Sequence, residues 1–114
     1  MPNQYNRELY RLKAELCKTF ADPTRLSIIN ELRTGEKIVG HLAETLDVPQ
    51  SVISRHLGLL RERGVVKPRR EGVNVYYSLA DTKIAEACDI VHDILLNQIA
   101  KNRESAERLM ALAR

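Results

Sequence analysis

Aromatic side chains are scarce in this sequence, which has no tryptophan, one phenylalanine and four tyrosines in 114 residues. A hydrophobic core must therefore be built mostly from aliphatic side chains. The length is close to the common size of one folded domain. We therefore predict a single domain over residues 1–114.

The sequence also lacks a run of about 18 apolar residues, the length that a membrane-spanning helix requires. Its first residues, MPNQYNRELYRLK, are polar and contain no apolar signal core. We therefore expect a cytoplasmic protein with no membrane partner. In that compartment its two cysteines, Cys17 and Cys88, should be reduced thiols rather than a structural disulfide.

Motifs of enzymes are missing as well. The sequence has no glycine-rich phosphate loop, nucleophile elbow or paired-carboxylate site, and HLAETL places one histidine near one glutamate without a second ligand. We therefore predict that the protein is not an enzyme and has no catalytic residues.

The excess of positive charge is concentrated in residues 50–72. Lysine and arginine total 18 against 15 acidic residues, a net charge of +3. Residues 50–72 contain six basic and two acidic residues, so this segment carries +4 and the remainder about −1. Such a concentration is typical of a surface that faces phosphate. A solvated basic face is the alternative.

Apolar periodicity predicts a first helix over about Gln4–Phe20. Its apolar stripe consists of Tyr5, Leu9, Leu12, Leu16 and Phe20. A second helix follows, with Asp22 as its cap and Pro23 in its first turn, and it ends near Gly35. A short third helix is predicted over about Val39–Leu46.

A fourth helix follows the break DVP and runs to Arg63, with Gly64 as a left-handed cap. The stretch VVKPRREGVNVYYSL predicts a two-stranded hairpin with EGVN at its tip, and Pro68 indicates that its strand lies at an edge. A long last helix should run from about Thr82 towards Leu112. The order α-α-α-α-β-β-α, mainly α with a small β-hairpin wing, is typical of a winged helix-turn-helix.

The third and fourth helices have the pattern of a DNA-reading pair, in which the second helix enters the major groove. The apolar positions that hold the two helices together are Leu42, Leu46, Val48 and Ile53. The residues predicted to contact base edges or phosphates are Gln50, Ser51, Ser54 and Arg55, because all four can form hydrogen bonds. Gly58 has no side chain, so the helix can approach DNA closely there. Asp47 stands where many such turns have glycine, and aspartate tolerates the left-handed conformation. His56 is predicted to be packed and hydrogen-bonded within the protein.

The predicted wing carries Arg69, Arg70 and Asn74 around its tip. We expect these side chains to contact phosphate or the minor groove, which contributes affinity more than specificity. A solvated hairpin is the alternative.

Four stretches of the sequence, DPTRLSII, HLAETL, QSVISRHLGLLRERGVV and RREGVNVYYSL, resemble the ArsR/SmtB family of winged-helix repressors. The resemblance covers about residues 14–80. It implies a homodimer formed by the first and last helices and bound to double-stranded DNA at an imperfect inverted repeat. It also implies repression that an inducer relieves.

The resemblance does not supply the inducer. Family members that bind soft metals through the third helix carry cysteines in ELCVC-like sequence, whereas the matching stretch here is EKIVGHLAE. Cys88 and His92 lie four residues apart, so they share a helix face, and Cys17 lies on the first helix. One hypothesis is that the cysteines sense the inducer. Cys17 and Cys88 would then form a thiol switch, or would bind arsenite, zinc or cadmium together with His92. The alternative hypothesis is that both cysteines are structural and pack as small hydrophobic side chains.

A winged-helix module that binds proteins, with no inducer site, is the alternative function. DNA binding predicts an affinity that falls steeply with salt and with Arg55→Ala, and protein binding need not respond in this way.

Overall fold

The computed structural model describes residues 4–112, with side chains described from residue 6 onwards. The predicted side chain of Tyr5 therefore lies outside the described residues. The elements, in chain order, are α1 (Gln4–Thr19), α2 (Pro23–Leu32), β1 (Lys37–Ile38), α3 (Val39–Leu46), α4 (Gln50–Glu62), β2 (Val66–Glu71), β3 (Asn74–Leu79) and α5 (Lys83–Leu112). The predicted winged helix-turn-helix is confirmed, with one short strand in addition.

The wing is a three-stranded antiparallel sheet with the strand order β1-β3-β2. The predicted hairpin is confirmed as β2 and β3, and β1 pairs with β3 as a third strand that was not predicted. Pro68 lies in β2, an edge strand as predicted, where its missing N–H removes no bond to a further strand. Two residues, Lys37 and Ile38, are too few to show the alternation by which a strand is recognised in sequence.

The core consists of aliphatic side chains that are almost fully buried. They are Ile28, Ile29, Leu32, Leu42, Ile53, Leu57, Leu60, Val65 and Val66. They come from α2, α3, α4, the residue just before β2 and the first residue of β2. The helix pair predicted to read DNA and the wing therefore share one apolar core. The predicted aliphatic character of the core is confirmed.

Local capping explains where the helices begin and end. Asp22 accepts backbone N–H bonds from Thr24 at 2.9 Å and Arg25 at 3.1 Å, and Pro23 occupies the first turn of α2. At the end of α4, Gly64 has φ 75° and Val65 N–H donates to the Leu60 carbonyl at 2.8 Å. This is the Schellman arrangement that a glycine in the left-handed region permits.

The chain divides into two compact units, one ending at Ile84 and one consisting of α5 from Ala85. In the first unit, α1 exposes the apolar side chains Leu9, Leu12 and Leu16, each close to half exposed. In the second unit, α5 exposes Ile90, Val91, Ile94, Leu95, Leu96 and Ile99. None of the helices described between residues 4 and 112 contains an apolar stretch that could span a lipid bilayer.

Candidate nucleic-acid interface

The turn between α3 and α4 is set by backbone hydrogen bonds around Asp47. This residue has φ 54° and ψ 49°, so it adopts the left-handed conformation that aspartate tolerates better than most residues. Val48 N–H donates to the Ala43 carbonyl at 3.0 Å, and Asp47 N–H donates to the Glu44 carbonyl at 3.4 Å. This pair of bonds closes α3 and directs the chain into α4 at Pro49.

α4 has one buried apolar face and one exposed polar face. Ile53, Leu57 and Leu60 are fully buried and face the core. The exposed residues in its first three turns are Gln50, Ser51, Ser54, Arg55 and Gly58. The structure thus brings the four predicted DNA-reading side chains together on one surface of one helix.

Two glycines shape this surface in different ways. A Cβ added to Gly40 of α3 would lie 3.6 Å from Gln50 Nε2, so the start of α4 lies directly against α3 there. A Cβ added to Gly58 would meet no atom within 4 Å, so the exposed face of α4 is open at this position.

The wing ends in a two-residue turn formed by Gly72 and Val73, because Glu71 pairs with Asn74. Gly72 has φ 60°, which suits the first central position of a tight hairpin turn. Val73 is 96% exposed at the tip, and Arg70 and Asn74 flank it, also exposed. The tip therefore presents one cation, one amide, one small apolar side chain and the exposed carboxylate of Glu71.

Arg69, which we predicted as a third wing contact, is engaged within the protein. Its Nε donates to Glu36 Oε2 at 3.0 Å, and its Nη1 donates to Glu71 Oε2 at 2.7 Å. Its guanidinium also lies over the ring of Tyr76, 4.8 Å from the ring centroid. Glu36 lies 33 residues before Arg69, and no pattern in the sequence indicates that the two side chains form an ion pair.

His56 lies on the inner edge of α4, as predicted. It is half-buried, and its Nδ1 lies 3.4 Å from Nη1 of Arg25 in α2. This position separates His56 from the exposed surface formed by Gln50, Ser51, Ser54 and Arg55.

The residues predicted for metal or thiol chemistry lie on α1 and α5. Cys17 is exposed on α1, Cys88 is half-buried on α5, and neither forms a disulfide. His92 is exposed one turn after Cys88. Within the described part of the chain, no group of three or more His, Cys, Asp or Glu residues is arranged to hold a metal ion.

Known proteins resemble the chain over this same region. Residues 22–67 match the family described as bacterial regulatory protein, arsR family. The chain is 38% identical over 88 residues to the HTH-type transcriptional regulator MJ1325 of Methanocaldococcus jannaschii, which covers 76% of this chain and 99% of that protein. It is 36% identical over 100 residues to the HTH-type transcriptional repressor SmtB of Mycobacterium tuberculosis. This alignment covers 88% of the present chain and 69% of SmtB.

The fold agrees with a solved structure. The homodimeric winged helix-turn-helix DNA-binding domain of Mb0332 from Mycobacterium bovis aligns with a TM-score of 0.76 and 27% identity, over 85% of this chain and 90% of that one. The chain therefore belongs to the ArsR/SmtB family of winged helix-turn-helix transcriptional repressors.

Proposed function

We propose that the protein is a homodimeric repressor in which α4 enters the major groove of an operator and the wing contacts the flanking backbone. The observation that carries this proposal is the division of α4 into two faces. Ile53, Leu57 and Leu60 are buried, whereas the opposite face exposes short polar side chains, one arginine and an open glycine. A surface of this kind suits close approach to base edges.

Each exposed side chain has a chemical role in this proposal. Arg55 can donate two hydrogen bonds to the O6 and N7 acceptors of guanine. Gln50 can pair with adenine in the same bidentate way, and Ser51 and Ser54 are short enough to bond to phosphates or bases. In the wing, Arg70 and Asn74 would contact the backbone beside the site and add affinity with little specificity.

Dimerisation is supported by apolar side chains that lie in solvent on both terminal helices. Leu9, Leu12 and Leu16 of α1 are 44%, 49% and 46% exposed, and α5 has a similar apolar stripe. The related domain of Mb0332 is homodimeric. A twofold dimer would place two α4 helices on successive major grooves, about 34–36 Å apart, and would therefore bind an inverted repeat.

The test is a fluorescence anisotropy titration of the protein against DNA from upstream of its own gene, at several salt concentrations. We expect the affinity to fall steeply as salt rises. Arg55→Ala should weaken binding by about 1–3 kcal/mol. Arg7→Ala, which removes an arginine from α1, is the matched control and should bind nearly as the wild type does. The absence of any salt-sensitive DNA binding would contradict the repressor proposal and favour the protein-interaction alternative.

The inducer is proposed to act through the two cysteines. Cys17 is exposed, and Cys88 precedes His92 by one helical turn, so the thiol of Cys88 and the imidazole of His92 share a face of α5. Oxidation by a peroxide would join the two sulfurs in one disulfide, with two electrons and two protons passing to the peroxide. Arsenite, zinc or cadmium bound by the thiolates and His92 is the metal version of the same switch.

The same titration tests the switch, with reduced protein, peroxide-treated protein and protein with arsenite, zinc or cadmium. Loss of DNA binding under one condition, abolished by both Cys17→Ser and Cys88→Ser, would support it. His92→Ala separates the two versions, because only the metal response should depend on the imidazole. Tight binding that no treatment changes would leave the cysteines as packing residues and contradict the switch.

A further inference from the structure

The wing contains an arginine whose guanidinium is held by three neighbours. Glu36 accepts from Arg69 Nε at 3.0 Å, Glu71 accepts from Nη1 at 2.7 Å, and the ring of Tyr76 lies beneath the guanidinium at 4.8 Å. A planar guanidinium bound in this way has a fixed orientation as well as a fixed position. We refer to Arg69, Glu36, Glu71 and Tyr76 together as the wing clamp.

The wing clamp crosses the whole sheet. Ile38 of β1 is paired with Tyr76 of β3, and Tyr76 is paired with Arg69 of β2, so these residues form one row over three strands. Directly paired residues stand on the same face of a sheet. Glu36 lies just before β1, so its bonds to Arg69 connect the outer edge strand to the segment between α2 and α3.

The charges of the clamp oppose a phosphate contact by Arg69. The hydrogen bond from Arg69 holds the pKa of Glu36 below its ordinary value, and the bonds to Glu36 and Glu71 raise the pKa of Arg69. Two carboxylates against one guanidinium leave a net negative charge, which repels phosphate. Among the described residues, Arg70 has no ion-pair partner, and it follows Arg69 in β2 on the opposite face.

We infer that Arg69 positions the wing for DNA and that Arg70 is the wing residue that contacts phosphate. This inference rests on the proposed function and assigns different roles to two adjacent arginines. The clamp joins β2 through β3 to the segment before α3, so it sets the direction of the wing tip relative to α4. The direction of the wing tip in turn determines whether Arg70 can reach a phosphate of the DNA backbone.

The experiment compares Arg69→Gln, Glu36→Gln and Arg70→Gln in two measurements. The first is hydrogen exchange of the β2 and β3 amides in the protein without DNA. Arg69→Gln and Glu36→Gln should both accelerate exchange near the wing tip, because either change opens the clamp, whereas Arg70→Gln should not. Unchanged exchange in the two clamp variants would overturn the inference, whether or not the protein binds DNA.

The second measurement is the dependence of DNA affinity on salt. Arg70→Gln should reduce the slope of log K against log salt by about 0.9, the value for one lost phosphate contact. Arg69→Gln should weaken binding by the same factor at every salt concentration and leave the slope unchanged. A slope reduced by Arg69→Gln would place its guanidinium on a phosphate and overturn the assignment.

Glu36→Gln gives the sharpest contrast in affinity. If Arg69 positions the wing, this change should weaken DNA binding, and the double variant with Arg69→Gln should be no weaker than either single variant. If Arg69 instead binds phosphate, Glu36→Gln should release it and tighten binding. Glu44→Gln on α3 is the matched control, because it removes one exposed carboxylate from outside the clamp. A wild-type protein that does not bind DNA would contradict the proposed function, and hydrogen exchange would still decide the clamp.

Discussion

Arg25 of α2 contacts His56 of α4, with 3.4 Å between Nη1 and Nδ1. The same guanidinium donates from Nε to the Thr19 carbonyl at 2.7 Å and from Nη2 to the Lys18 carbonyl at 3.4 Å. Only 15% of the Arg25 side chain is exposed. One arginine therefore connects the end of α1, the start of α2 and the middle of α4, the helix on which the proposed DNA surface lies.

Arg25→Met should lower the free energy of unfolding by about 1–3 kcal/mol, because the Thr19 carbonyl loses its donor where little water can replace it. Urea denaturation at one fixed protein concentration measures the change, since the unfolding of the proposed dimer would depend on concentration. Arg61→Met, an exposed arginine of α4, is the control and should change stability by less than about 0.5 kcal/mol. Equal stability of the two variants would contradict the connecting role of Arg25.

Leu57→Ala should destabilise the protein by about 2–5 kcal/mol, because the Leu57 side chain of α4 is fully buried in the core. The loss combines the apolar contacts of the removed atoms with the cavity that remains. Val73→Ala at the wing tip is the matched exposed control, with an expected change within about 0.5 kcal/mol. Denaturant unfolding followed by circular dichroism measures both.

Gly58→Ala should separate stability from DNA binding. Its Cβ would enter open space, so the free protein should gain about 0.5–1 kcal/mol of stability from the better helix propensity of alanine. Operator affinity should fall, because the added methyl group stands on the face proposed to enter the groove. Raised stability with unchanged affinity would show that this turn of α4 does not approach DNA closely.

Asp22 should make stability depend on pH in the acidic range. The N–H bond from Arg25, the charges of His56 and Arg25, and the N–H bond from Thr24 hold the pKa of Asp22 below its ordinary value in the folded protein. A lowered folded pKa contributes stability above the unfolded pKa, and that contribution disappears as pH falls through the folded pKa. Acid should therefore weaken this cap.

Asp22→Asn tests this expectation, because asparagine also caps helices but does not titrate. Its stability should change less between neutral and acidic pH than that of the wild type. Asp22→Ala should be less stable at neutral pH, because it loses the cap itself. An Asp22→Asn protein with the full acid sensitivity of the wild type would assign that sensitivity to other carboxylates.

Helix boundaries were predictable because their signals are local. α3 was predicted at about Val39–Leu46 and has those bounds, and the left-handed conformations expected at Asp47 and Gly64 are present. Caps, prolines and glycines act on the backbone within a few residues of themselves. The polar face of α4 was also predictable, since 3.6-residue periodicity decides which side chains share a face.

The contacts of the wing were not predictable in the same way. β1 contains two residues and pairs with β3 from nearly 40 residues away, and Arg69 meets Glu36 across 33 residues. In the sequence, Arg69 and Arg70 are equivalent, because both are arginines beside one loop tip. The structure distinguishes them, because only one of the two lies next to Glu36.

By itself, the sequence determined the order of the elements, the aliphatic core, the faces of α4 and the resemblance to a repressor family. These properties follow from residue type and from spacing along the chain, which do not change when distant segments meet. Only the tertiary structure decided that Arg25 connects three helices, that β1 joins the wing as a third strand, and that Arg69 belongs to the wing clamp. Those properties depend on which side chains become neighbours in space, and packing around a shared core decides that.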